Sequence, residues 1–113
     1  MAHFDFGEVY WIEKSFDDDP EQSKLRPAII VGKENDDLIL VATTTQGPED
    51  PPKPYDQFKF PILNWRKAGL TEPSWCLCLV LIELPKEALQ KYIGKMDERD
   101  YEILLDFLET VHG

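Results

Sequence analysis

The strongest structural signal in the chain is the run Pro27-Ala28-Ile29-Ile30-Val31, the turn residues Asn35-Asp36-Asp37, and the run Leu38-Ile39-Leu40-Val41-Ala42. The two runs are almost continuously apolar and have the length of strands, which is typical of strands that are buried on both faces. Asn and Asp favour tight turns because their side chains hydrogen-bond to the nearby backbone. The segment therefore predicts a buried β-hairpin, and the rest of the chain is expected to pack around it.

Weaker signals predict further strands and loops on either side of this hairpin. Residues 7–12 are a turn glycine followed by β-branched and aromatic residues, residues 58–62 alternate as an edge strand, and residues 75–81 form a second strongly apolar strand. Residues 15–24 are polar and acidic, and residues 46–56 contain four prolines, so both segments predict loops. The first two-thirds of the chain are therefore expected to form a small, strongly curved antiparallel sheet.

Helices are predicted only near the C-terminus. Residues 85–93 begin with proline, contain good helix formers and end before Gly94, which predicts a short helix. Asp97 is a typical N-cap for a second helix. An apolar stripe at helical spacing follows it and is expected to pack on the sheet: Tyr101, Leu104, Leu105, Leu108 and Val111.

Composition limits the class of protein. The 113 residues fit a single domain spanning 1–113, and 42% of them are hydrophobic, enough for a small core. The formal net charge of −10 argues against a broad basic face for duplex DNA. No apolar run approaches the length of a membrane span, and the first residues do not form a secretion signal, so we expect a cytoplasmic protein without a membrane segment.

The cysteines and histidines exclude several kinds of site. Cys76 and Cys78 are too close in sequence for an unstrained disulfide and are expected to be reduced and buried. His3 and His112 lie at the two ends of the chain, where a catalytic imidazole is poorly positioned. The sequence therefore predicts no metal site, and it disfavours histidine-dependent catalysis.

Several local motifs, in order, resemble the MazF/PemK toxins of bacterial toxin–antitoxin modules. They are Gly7-Glu8-Val9-Tyr10-Trp11, then Glu21-Gln22-(x)3-Arg26-Pro27 before an apolar strand, Val41-Ala42-Thr43-Thr44-Thr45, the Ala68-Gly69-Leu70 turn, and Ile93-Gly94-Lys95-Met96 before the final helix. The resemblance implies a mainly β fold, an SH3-like β-barrel of the MazF/CcdB toxin type with short helices and a C-terminal helix. It also implies a homodimer that cleaves single-stranded RNA without a metal or cofactor and that a cognate antitoxin silences.

The same resemblance assigns the catalytic roles to Arg26 and Thr45. Arg26 stays protonated, and its planar fork suits it to holding two phosphoryl oxygens. Thr45 carries a hydroxyl that can donate to a phosphate oxygen. The general base stays open between Glu21 and Arg26. The residues alone also allow Arg26 to be a surface arginine that pairs with the acidic loop, and the threonines to be ordinary strand residues.

Seven further residues are predicted to bind the substrate: Glu21, Gln22, Thr43, Gln46, Lys53, Trp65 and Lys67. Trp65 is the candidate for stacking on a base, since cationic residues follow it. Gln46 occupies a position where the family often carries serine or another small residue. Residues 97–109 contain six acidic residues and one arginine, whereas four of the five charged residues within 53–67 are cations. This distribution predicts a locally positive groove on a negative protein.

A second function is compatible with the sequence. The net charge of −10 favours a catalytically idle relative of the same barrel that acts through protein contacts, by binding an antitoxin or, as the related CcdB toxins do, gyrase.

Overall fold

The computed structural model describes residues 4–16 and 19–113, and the side chains of residues 4–13 and 24–113. Its strands are β1 (Glu8–Phe16), β2 (Asp19–Glu34), β3 (Asp37–Thr44), β4 (Lys59–Pro61), β5 (Trp75–Leu77), β6 (Ile82–Pro85) and β7 (Tyr92–Lys95). One helix, α1 (Glu98–His112), follows them, and two short 3₁₀ segments span Pro54–Phe58 and Lys86–Ala88.

The strands form one antiparallel sheet in the order β4-β5-β3-β2-β1-β7, with β6 also paired to β3. This confirms the predicted mainly β fold with a C-terminal helix. The sheet is not closed into a full barrel, because in the described part of the chain β4 and β7 stand at opposite ends of the strand order.

The predicted hairpin lies at the centre of the sheet as β2 and β3. Ile29 pairs with Val41, and both side chains are fully buried in the same core cluster. The neighbouring Ala28 and Ile30 are buried in a second cluster. Alternate side chains of a strand point to opposite faces of a sheet. The continuous apolar pattern therefore arises because both faces of this hairpin are covered.

Helix α1 covers one face of the sheet and begins where the sequence predicts. The carboxylate of Asp97 accepts hydrogen bonds from the backbone N–H groups of Arg99 and Asp100, as an N-cap does. Leu104 and Leu108 are buried against the cluster that contains Ile29. Among the described residues, no helix combines the length and the apolar character needed to cross a membrane.

Two local predictions are wrong, and a third holds only in part. Residues 15–24 are not a loop, since β1 and β2 remain paired as far as Phe16 and Asp19; Asp17 and Asp18 lie outside the described residues. The apolar strand predicted at 75–81 ends at Leu77, and the chain turns before β6 begins at Ile82. The predicted loop 46–56 also contains the start of a 3₁₀ segment at Pro54.

The helix predicted over residues 85–93 is also wrong. Only Lys86–Ala88 form a 3₁₀ turn, and Tyr92–Lys95 form β7, which pairs with β1. Gly94 is therefore not a helix stop. A Cβ atom at position 94 would lie 2.4 Å from the carbonyl oxygen of Ala68, so glycine allows β7 and the segment at Ala68 to approach closely.

We expect Gly94→Ala to lower the free energy of unfolding by more than about 1 kcal/mol, because the backbone at residue 68 must shift to admit the new methyl group. Gly32→Ala is the matched control in a strand, since a Cβ there meets only Ile39 side-chain atoms, the nearest at 3.6 Å. Urea unfolding of both variants measures the difference. Equal stabilities would contradict the close contact.

Candidate functional site

A groove of about 430 Å³ opens where β2 begins its pairing with β3. Five parts of the chain supply its walls: residue 11 of β1, residues 24–27 of β2, residues 43–46 at the end of β3, residues 69–72 with Ser74, and Ile93 of β7. The β2–β3 ladder ends at the pair Ala28 and Ala42. Since β3 departs there, the edge of β2 around Arg26 is left open to the groove.

Two hydrogen bonds tie Thr43 to β2 across this end of the hairpin, one from Arg26 and one to Pro27. The guanidinium Nη1 of Arg26 donates to the carbonyl oxygen of Thr43 over 3.4 Å. The hydroxyl of Thr43 donates to the carbonyl oxygen of Pro27 over 2.9 Å. Thr43 is only 2% exposed. Its side chain therefore fixes the backbone next to Arg26.

The chain turns sharply after β3, and this turn presents Thr45. The backbone N–H of Gln46 donates to the hydroxyl oxygen of Thr44 over 3.1 Å. Thr45 is exposed, and it lines the groove together with Arg26, Thr43 and Gln46. Four of the residues predicted from the sequence are therefore brought together at one place.

The proline-rich segment that follows is held by a buried carboxylate. Asp56 accepts hydrogen bonds from the backbone N–H groups of Glu49, at 2.9 Å, and Lys53, at 2.7 Å. Lys59 lies 3.2 Å from the other carboxylate oxygen of Asp56 and also reaches the carbonyl oxygen of Gly47. These contacts lower the pKa of Asp56. The hydrogen bond from the backbone of Glu49 has the largest effect, and the one from Lys53 the next largest.

The facing wall of the groove is a loop held by short contacts. Gly69 has φ +88°, and a Cβ there would lie 2.5 Å from the carbonyl oxygen of Ile93. The hydroxyl of Ser74 donates to the carbonyl oxygen of Glu72 over 2.9 Å. Lys24, Arg26 and Glu72 are the charged groups of the described lining, so cations outnumber carboxylates there.

Lys53, Trp65 and Lys67 do not belong to the described lining of this groove. Lys53 pairs with Glu49, and Lys67 pairs with the N-cap Asp97 at 2.6 Å. Trp65 is half-buried against the core, and the guanidinium of Arg66 sits 4.4 Å from the centre of its ring system. The side chains of Glu21 and Gln22 lie outside the described residues. Roles for all five in substrate binding stay predictions.

Sequence reasoning did not assign eleven of the described lining residues to the site, and Trp11, Lys24, Leu25 and Glu72 are among them. The pairing of Trp11 with Pro27 in the β1–β2 ladder brings Trp11 to the groove. A prediction of that register would have found it.

The cysteines do not contribute a nucleophile. Cys76 and Cys78 are free and buried, as predicted. Burial raises the pKa of Cys78 to about 12 and raises that of Cys76 well above its ordinary value, so both thiols stay protonated. Among the side chains of residues 4–13 and 24–113, no group of three or more His, Cys, Asp or Glu is arranged to hold a metal ion.

Comparison with known proteins agrees with this fold. A family described as "PemK-like, MazF-like toxin of type II toxin-antitoxin system" matches residues 5–112. The fold is similar to an endoribonuclease from Mycobacterial species solved with its cognate antitoxin, with TM-score 0.69 and 17% identity over 98% of this chain and 94% of that one. It is also similar to Mycobacterium tuberculosis toxin MazF-mt6, with TM-score 0.62 and 18% identity over 90% of this chain and 94% of that one. No curated protein matches the chain.

We expect Asp56→Asn to lower Tm at pH 7, since a neutral amide accepts the two backbone hydrogen bonds less strongly and cannot pair with Lys59. The pKa of Asp56 is lower in the folded chain than its ordinary value of 3.8. Its contribution to stability is therefore complete above that value and is lost as the pH falls through the folded pKa.

Thermal unfolding between pH 7 and pH 2 measures this effect, with the exposed Asp50→Asn of the same loop as control. The Tm difference between the parent and Asp56→Asn should shrink below pH 4. A difference that stays constant with pH would contradict the role of the carboxylate.

Proposed function

The chain belongs to the family of PemK-like, MazF-like toxins of type II toxin–antitoxin systems, and we propose that it is an endoribonuclease. Its substrate is single-stranded RNA, and a cognate antitoxin silences it. The observation that carries the proposal is the groove that contains both Arg26 and Thr45. Likeness to an endoribonuclease solved with its antitoxin supports the same assignment.

The proposed reaction is an internal transesterification. The 2′-oxygen of a ribose attacks the adjacent phosphorus, and the bond between phosphorus and the 5′-oxygen breaks. The products carry a 2′,3′-cyclic phosphate and a 5′-hydroxyl group. Such a reaction requires removal of the 2′-proton, stabilisation of the phosphorane and a proton for the leaving oxygen.

Arg26 is the group suited to stabilising the phosphorane. Its guanidinium stays charged at neutral pH and can donate to two phosphoryl oxygens at once. The hydrogen bond to the carbonyl of Thr43 orients the fork before substrate binds. Thr45 adds a neutral donor from the exposed turn, and its branched Cβ restricts its rotamers. Preorganised donors of this kind stabilise developing charge without a reorganisation cost.

A carboxylate takes the 2′-proton in this proposal. Glu72 belongs to the lining of the groove on the wall supplied by residues 69–72 with Ser74. Glu21, next to Gln22 in β2, is the other candidate. Kinetics of Glu72→Gln and Glu21→Gln separate them, because only loss of the base removes the acidic limb of the pH–rate profile.

The charge distribution supports RNA binding at the groove. Lys24 and Arg26 lie in its lining, and the acidic residues of α1 do not. A polyanion can therefore approach this face of a chain whose net charge is −10. Since few cations contribute, affinity for RNA should be weak, and raising the salt concentration should lower it further.

A second function is favoured by the same net charge of −10. In this alternative the chain does not cleave RNA and acts through protein contacts, by binding an antitoxin or gyrase. Induction of the chain in a bacterial host separates the two functions. Growth arrest that persists in Arg26→Ala supports the protein-contact function, and arrest that is lost supports cleavage.

We expect Arg26→Ala and Thr45→Ala each to reduce RNA cleavage by on the order of 10²–10³-fold, because each removes a donor aimed at the phosphorane. Neither side chain is buried in the core, so Tm should stay close to that of the parent.

Arg26→Lys is the sharper variant, since it keeps the charge but loses the two-pronged fork. Its cleavage rate should remain low. If Arg26→Lys cleaves as fast as the parent protein, the arginine supplies only general attraction and the proposed geometry is wrong.

We also expect the protein to be a homodimer. Large apolar side chains are exposed on the isolated chain, among them Leu63, Leu79, Val80 and Ile103, and subunit contacts commonly bury such residues. Sedimentation at micromolar concentration checks this. A species at the monomer mass of 13.1 kDa would refute it.

A further inference from the structure

The groove has an apolar part that the cleavage chemistry does not use. Trp11 is 36% exposed and Leu25 is 52% exposed, and both belong to its lining. In the β1–β2 register Trp11 lies opposite Pro27, and Leu25 lies opposite Glu13. Trp11 and Leu25 are therefore diagonal neighbours on one face of the strand pair, within reach of each other's side chains.

This apolar surface is held in place on both sides of β1. The backbone N–H of Trp11 donates to the carbonyl oxygen of Lys91 over 2.9 Å, and its own carbonyl accepts from Gln90 over 2.8 Å. The ladder with β2 holds the opposite edge. An indole on such a fixed backbone loses little conformational freedom when a flat ligand stacks on it.

Trp11, Leu25 and Arg26 all belong to the lining of this one groove. Leu25 and Arg26 are successive residues and point to opposite faces of β2, so the apolar surface and the proposed phosphate site meet at the open edge of β2, where Arg26 donates to the carbonyl oxygen of Thr43. A phosphate and its nearest bases are separated by about the length of one nucleotide, and single-stranded nucleic acid is commonly bound by aromatic rings beside cations. Every nucleobase has an apolar face that can stack on an indole. A hydrophobic and a cationic group that line the same groove therefore match one nucleotide.

We infer that Trp11 and Leu25 form a base-binding subsite, which takes the unpaired base next to the phosphate held by Arg26. The inference rests on the proposed function and deepens it, since it names the substrate group that the second half of the groove binds. It assigns the stacking role to Trp11. Trp65, which the sequence favoured for that role, packs on the core beneath Arg66 instead.

Cleavage of a short single-stranded RNA with one mapped site tests the subsite. Trp11→Ala should raise KM roughly ten-fold or more, and Trp11→Phe should restore most of the loss because a flat ring remains. Leu25→Ala, at an exposed position that the fold does not need, should raise KM by a smaller factor. Tyr55→Ala is the matched control, because Tyr55 is an exposed aromatic residue outside the groove lining.

RNA binding measured without cleavage tests the subsite independently of the proposed function. In an Arg26→Ala background, an RNA should quench tryptophan fluorescence, and Trp11→Phe should remove most of that quenching. An RNA with an abasic residue at the stacked position should bind the parent and Trp11→Ala equally weakly. These results support the subsite even if the parent protein cleaves no RNA.

The inference is overturned if Trp11→Ala and Leu25→Ala both keep the KM and the cleavage site of the parent. It is also overturned if they keep those values but no longer bind an antitoxin, which would assign the surface to protein contacts. Failure of the proposed function gives a different result, in which neither the parent nor Trp11→Phe produces cleaved RNA.

Discussion

The register between β2 and β3 is the constraint on which the rest of the structure depends. It places Ile29 opposite Val41 and Ala28 opposite Ala42, so each buried side chain reaches its own core cluster. A slip of one residue would turn these side chains to the wrong face. The same register ends beside Thr43, whose hydroxyl bonds the carbonyl of Pro27 and whose carbonyl accepts from Arg26. Core packing and the geometry of the groove are therefore fixed together.

The elements that could be predicted from the sequence are those set by local signals. The apolar runs 27–31 and 38–42 and the N-cap Asp97 each carry their own pattern, and each prediction is confirmed. Residues 85–93 failed because pairing of β7 with β1 overrides a helical propensity that is worth only tenths of a kcal/mol per residue. Residues 15–24 failed because the ladder between β1 and β2 is made by backbone groups, which polar side chains do not prevent.

The residues of the candidate site likewise fall into those that the sequence could identify and those that it could not. Arg26 and Thr45 could be identified from a family resemblance and from the expectation that two ends of one hairpin meet. Trp11 and Glu72 could not, since their place depends on the β1 register and on a loop fixed by Gly69 against Ile93. The charge distribution around the groove could be predicted from the sequence only coarsely. Most of the negative charge of the C-terminal segment is carried on α1, none of whose residues belongs to the groove lining.

We propose that the groove at Arg26 performs metal-free transesterification of RNA, and the chemical ends of the product strands reveal whether it does. The parent protein is incubated with a single-stranded RNA in excess EDTA, and the new ends are analysed by mass spectrometry. We expect cleavage in EDTA, with a 2′,3′-cyclic phosphate on one fragment and a 5′-hydroxyl on the other. Cleavage that EDTA abolishes, or fragments that carry a 5′-phosphate, would contradict it.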